Sequence, residues 1–321
     1  MEPANANRTT IWPRRHGPLA ALTATVAVLL GVAGVATPTH RPVPGVRPGM
    51  ASPPGPGCAR SPDPSGSATP SSTPSHPAPA PPAVRASLPP LPLPVGGGPT
   101  RAAHDRLEQL AQHVLALPDQ PRCGRYTHVT LRIWAADDTI TPPTLHRDIV
   151  LFEQQSWRAP DDSGRVSITR LTSQGPPTGS DDYPTGAMPD TIGGALSPDP
   201  AVLAGQLNTV EPWANGPQSA IRAMAGIYRT YLPAPAVRAA LLVVAANATG
   251  LLDAGTATDA LGRAGLTVTV DSDNNTTRDV LILDDTGIPL AYVMTQHDPV
   301  RGWQLVQYQL YQQHDRTAQA G

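Results

Sequence analysis

The chain contains no lysine; all 23 of its basic residues are arginine. That absence removes every mechanism that needs a side-chain amine, including Schiff-base chemistry, pyridoxal-phosphate catalysis and the phosphate-loop lysine. Aromatic residues are few, with one Phe, five Trp and seven Tyr in 321 residues. The nine histidines show no HExxH pattern and no close pair, so neither a metal-ligand set nor a cofactor motif is expected. Ser180, in Gly179-Ser180-Asp181, lacks the Gly-x-Ser-x-Gly elbow of a serine nucleophile.

Proline is abundant but segregated. Half of the 40 prolines fall between Pro38 and Pro99, which separates an extended segment from one globular unit. Charge divides at the same place. Residues 1–100 carry seven Arg against Glu2 and Asp63, whereas 101–321 carry sixteen Arg against twenty-three acids. An acidic folded part argues against a nucleic-acid partner.

Arg8, Arg14, Arg15 and His16 precede an uncharged apolar run over 18–36. Nineteen helical residues span about 28 Å, close to the hydrocarbon thickness of a bilayer. Residues 1–17 then form a short cytoplasmic tail and 18–36 a transmembrane helix, with all that follows outside by the positive-inside rule. Gly34-Val35-Ala36 also suits a signal peptidase, so a cleaved leader and a secreted product is the alternative. Residues 37–100 are rich in Pro, Ser, Ala, Thr and Gly and read as a disordered spacer, reaching about 200 Å if fully extended.

The remaining region, 101–321, is long enough to bury a core. Leu107, Leu110, Ala111, Val114 and Leu117 recur at helical spacing and stop before Pro118. The period then becomes two. Over Arg125–Asp137, Thr127, Val129, Leu131, Ile133 and Ala135 alternate with Tyr126, His128, Thr130, Arg132 and Trp134, the pattern of a strand with one buried face. Further strands are expected over His146–Arg158 and Arg165–Leu171, and a long Gly/Pro/Asp-rich loop over 173–200. Helices are expected near Pro200–Leu207, over Pro217–Tyr231 and from Pro235. Four strands close the chain: Leu266–Val270, Arg278–Leu283, Pro289–Thr295 and Gly302–Tyr311. Hairpin order implies antiparallel pairing and an α+β domain with helices on one face of a curved sheet.

Pro235-Ala236-Val237-Arg238-Ala239-Ala240-Leu241-Leu242, the run Arg278–Gly287, and Gln155-Ser156-Trp157-Arg158 together resemble an actinobacterial family of membrane-anchored proteins of unknown function, often encoded beside extracytoplasmic-function sigma factors. The resemblance covers roughly 101–312 and implies an outer domain similar to lipoprotein-carrier and sigma-regulator half-barrels. Only about seventeen residues precede the apolar run, fewer than family members usually carry there.

Several residue sets are candidates for function. Cys58 and Cys123 both fall outside the cytoplasm and can form a disulfide between spacer and domain, the alternative being two separate thiols. Asp271-Ser272-Asp273-Asn274-Asn275 begins like a calcium loop but has Thr276 and Ile282 where Gly and Glu are required, so a polar hairpin tip is expected. The acid pairs Asp137-Asp138, Asp161-Asp162, Asp181-Asp182 and Asp284-Asp285 fall in turn-like stretches, where Asp serves its own backbone. Tyr126, Trp134, Trp157, Tyr292 and Trp303 lie on or near expected strands and are the candidate lining of an apolar groove for a lipid acyl chain or a protein partner, against plain core packing. The function expected is therefore non-catalytic: a membrane-tethered domain outside the cell membrane, with a sensing or carrier role. A cell-wall hydrolase without a recognisable motif and a structural spacer are the alternatives.

Overall fold

The alternating pattern after Tyr126 does build a sheet, and it is larger than expected. The computed structural model describes residues 101–321 apart from 120–122, 142–143, 190–191 and 193. The expected tail, apolar run and spacer, with Cys58, lie outside the described residues. Among the described residues no helix is long and apolar enough to cross a membrane.

Ten strands form one open antiparallel sheet: β1 (Arg101–Ala102), β2 (Tyr126–Thr141), β3 (Thr144–Arg158), β4 (Gly164–Arg170), β5 (Gly179–Tyr183), β6 (Leu252–Thr258), β7 (Ala264–Ser272), β8 (Thr277–Leu283), β9 (Pro289–Asp298) and β10 (Gly302–Thr317). Their spatial order is β1-β6-β7-β8-β9-β10-β2-β3-β4-β5. The last strand thus joins the first long one, and β10 with β2 welds the two halves of the chain. Four helices complete the fold: α1 (His104–Leu115), α2 (Pro200–Val210), α3 (Ser219–Ile227) and α4 (Pro235–Ala246), with a 3-10 turn at Trp213–Asn215. The fold class is α+β.

Three strands lie beyond those expected. β5 is Gly-Ser-Asp-Asp-Tyr, a polar edge strand inside the stretch read as loop, and β6 is Leu-Asp-Ala-Gly-Thr-Ala-Thr. Neither has strand propensity of its own; each is extended because a neighbouring strand supplies its hydrogen bonds. β1 is two residues long and pairs with Leu252 and Asp253.

Helices cover one face. Val129, Leu131 and Ile133 of β2, Val268 and Val270 of β7, and Leu281 and Leu283 of β8 meet Leu107, Val114, Leu203, Leu207, Ile221 and Leu241 in a single core. The other face carries its own apolar cluster, with Trp134, Leu151, Val280, Ile282, Val293, Tyr308 and Leu310 all buried. Sheet curvature brings part of its cover. The β6–β7 turn crosses to β10, three strands away, where the Ala260 amide donates to the Tyr308 hydroxyl (2.9 Å) and Arg263 Nη2 to the Tyr311 carbonyl (2.7 Å). Asp259 holds that arginine at 2.6 Å.

Turn chemistry follows the sequence closely. Asp199 caps α2 by accepting from the amides of Ala201 and Val202, with Pro200 in the first helical position. At the β8–β9 turn Asp284 Oδ1 accepts from the amides of Thr286 and Ile288, and Gly287 supplies φ +76°. Backbone approaches backbone closely at Gly164, the first residue of β4. A Cβ on Gly164 would sit 1.9 Å from the Trp157 carbonyl oxygen, which no side-chain rearrangement relieves. Gly164→Ala is expected to cost about 1–3 kcal/mol, read as a lower urea midpoint with an unchanged slope.

Candidate functional site

Among the described cavities, the most apolar open one lies between helices. It encloses about 620 Å³. α2 contributes Pro200, Ala201 and Ala204; the segment after the 3-10 turn contributes Gly216 and Pro217; Ala220 comes from α3 and Val244 from α4. Trp213 forms one wall and keeps 36% of its surface exposed, and Asn247 and Thr249 form a polar rim. The groove exists because these positions are small. Alanine and glycine keep α2, α3 and α4 from interdigitating at this end. Gly216 adopts φ +123°, and a Cβ there would come within 2.6 Å of the Gln218 side chain. The lining holds no titratable side chain.

Two polar anchors fix its walls. The Trp213 amide donates to Asn208 Oδ1 at 2.8 Å, which tethers the 3-10 turn to the end of α2. Beneath α3, two residues beyond Ala220, Arg222 grips the fully buried Asp279 of β8 through Nε (2.9 Å) and Nη2 (3.1 Å). The Tyr292 hydroxyl donates to the same carboxylate at 2.6 Å. Burial pushes the Asp279 carboxyl up, against the opposing pull of Arg222, and it pushes the Tyr292 phenol well above its ordinary range.

None of the five aromatic residues expected to line a groove lines this one. Tyr292 faces the helices, whereas Trp134 belongs to the cluster on the opposite face, packed edge-on against Tyr308 at 5.4 Å. Trp157 stacks on His128 at 4.8 Å. Tyr126 lies beneath Arg125 (5.2 Å), and Trp303 meets His297 (5.3 Å) and Arg278 (4.5 Å). Each has its own local partner. Trp213, which does line a groove, sits in a short irregular turn with no periodicity to mark it.

The acid pairs serve structure where they are described. Asp161 accepts from Ser163 and Thr185, which hold its carboxyl below the usual range; Asp182 pairs with Arg165, and Asp284 closes its own turn. In the calcium-like stretch Asp273, Asn274 and Asn275 are all left-handed, with φ of 52–62°, and form the β7–β8 turn. No group of three metal-ligating side chains occurs among the described residues. Cys123 is disulfide-bonded, and Cys58, the one other cysteine in the sequence, lies outside the described residues.

One constellation has no motif in the sequence to mark it. Asp315 Oδ1 meets His128 Nδ1 at 3.0 Å, and His128 Nε2 meets the Thr130 hydroxyl at 3.4 Å. The order resembles an acid–base–nucleophile relay, but the exposures are inverted. The acid is 41% exposed and the hydroxyl-bearing Thr130 only 9%, whereas hydrolysis needs a buried acid and an open nucleophile. The geometry suits a clamp between β10 and β2. Residues 187 apart meet here through strand pairing alone.

No protein-family model and no curated protein matches this sequence.

Proposed function

We propose that this chain is a binding protein whose helical groove takes a neutral, apolar group, such as a lipid acyl chain or an apolar side chain of a protein partner, and that residues 1–100 hold it outside the cell membrane. The observation that carries the reading is the groove itself: about 620 Å³, walled by Ala, Pro, Val and Trp213 and free of charge. That volume falls in the ordinary range of small-molecule sites, about 300–1,000 Å³. A charged ligand would gain nothing there, and proton transfer has no donor in the lining. The arginine-flanked apolar run and the proline-rich spacer support a tethered position outside the membrane, and the open antiparallel sheet with helices on one face is compatible with the half-barrel carriers and sigma regulators that the sequence resembles. A sensing or carrier role accords with a site that binds without chemistry.

The test uses a neutral apolar fluorophore, N-phenyl-1-naphthylamine, titrated into the full chain. Ala204 is half-buried on the groove wall, so Ala204→Trp fills the space from its rim without disturbing the core. Saturable binding that weakens at least tenfold in Ala204→Trp is expected. Binding that is absent, or indifferent to that substitution, overturns the reading.

A further inference from the structure

At the opposite end of α4, about 17 Å away by helical rise, a second cavity of about 560 Å³ differs from the groove in having charge. Arg238 lines it and is only 8% exposed. Its Nε donates to the Thr286 carbonyl (2.9 Å) and its Nη1 to the Pro233 carbonyl (3.2 Å), both neutral acceptors. Among the described residues no carboxylate forms an ion pair with Arg238, and its Nη2 has no partner there. A buried guanidinium ordinarily has a counter-charge, because desolvating it without one is strongly unfavourable.

The surroundings make the deficit larger. Arg238 stands in the first turn of α4, at the positive end of the helix dipole, where a cation is disfavoured. Ala234 provides no side-chain cap, and that first turn has no acidic residue. Arg316 also lines the cavity and donates from Nη1 to the Arg125 carbonyl (3.3 Å). Asp315 is the one carboxylate in the lining, and its two oxygens are taken by His128 (3.0 Å) and by Gln313 Nε2 (2.8 Å). His314 donates from Nε2 to the Tyr228 carbonyl at 3.0 Å, and burial brings its pKa down to about 4, so it is neutral at neutral pH. The remaining walls include Leu117, Leu232 and Ile288.

We propose that this cavity is a second ligand site, distinct from the groove and independent of it, that binds an organic carboxylate with a short apolar body. The carboxylate meets the open edge of Arg238 and the uncapped first turn of α4, while the body lies against the leucine and isoleucine walls. Guanidinium and carboxylate match as a planar fork, and the low local dielectric strengthens the pair.

Isothermal titration of the full chain with hexanoate and with its neutral isostere hexanamide tests the site. Hexanoate is expected to bind at least tenfold more tightly than hexanamide. Arg238→Gln should abolish that ratio. Because Arg238 also holds two carbonyls, a second variant, Ile288→Trp, leaves those bonds in place and closes the cavity; it should remove hexanoate binding. Ala204→Trp, which closes the groove, should leave the hexanoate-to-hexanamide ratio unchanged. Equal affinity of the wild-type chain for the two probes, hexanoate binding that survives Ile288→Trp, or a ratio that collapses in Ala204→Trp would each overturn the assignment.

Discussion

Asp279→Ala is expected to destabilise the fold by about 3 kcal/mol, at the low end of the cost of breaking a buried pair. The carboxylate is fully buried and holds Arg222 with two hydrogen bonds and Tyr292 with a third, so its removal leaves three donors without their acceptor. The Arg222 side chain retains 22% exposure, and water relieves part of that loss, hence the lower figure. Urea unfolding of the full chain measures the loss directly. The double variant Arg222→Leu with Asp279→Leu should recover most of it, since removing both charges also removes both desolvation costs. The pH dependence has a definite sign. Burial raises the folded-state pKa of Asp279 above its unfolded value of about 3.9, so the native state binds this proton more tightly. Its contribution is then most favourable below the unfolded value and declines as pH rises through the folded one. Acidification from neutral pH should therefore destabilise wild type less than a variant with Asp279 replaced by Ala, and a larger acid loss in wild type would contradict the arrangement.

Leu241→Ala should cost about 2–5 kcal/mol. Leu241 is completely buried near the middle of α4, in the core it shares with α1, α2 and α3. Alanine removes the isobutyl group from a fully buried site, and the neighbours can close the void only in part. Because α4 carries Val244 of the groove and Arg238 of the charged cavity, looser packing at its centre should weaken both ligand sites together. Thermal unfolding and the two titrations, run on the same preparation, check this. A loss below about 1 kcal/mol would mean that the helix repacks.

Both effects come from residues whose importance the sequence does not display. Asp279 occurs within Arg278–Leu283, a run read as a strand from its Val, Leu and Ile; an Asp at its second position looks like an exposed strand end. It is buried because α3 crosses β8 and offers an arginine at that point. Aromatic positions show the same limit. The shared parity of Tyr126 and Trp134 correctly puts both on one face of β2. That parity does not carry over to β9 and β10, because β10 has register shifts between Leu305 and Gln307 and between Tyr311 and Gln313. Each shift inserts one residue and reverses the alternation, so Trp303 and Tyr308, of opposite parity, point to the same side.

Local chemistry alone determined the turns, the helix starts at Pro200 and Pro235 and the long strands, because these depend on backbone restriction, capping and short-range periodicity. Tertiary structure decided everything that joins distant residues: the β10–β2 weld, the Asp315–His128 clamp, the Arg222–Asp279 pair and both cavities. A cavity is defined by volume left unfilled between elements. Ala, Gly and Pro at Ala204, Gly216, Pro217 and Ala220 leave that volume in the helical layer, and no property of those residues in sequence distinguishes an open groove from close packing.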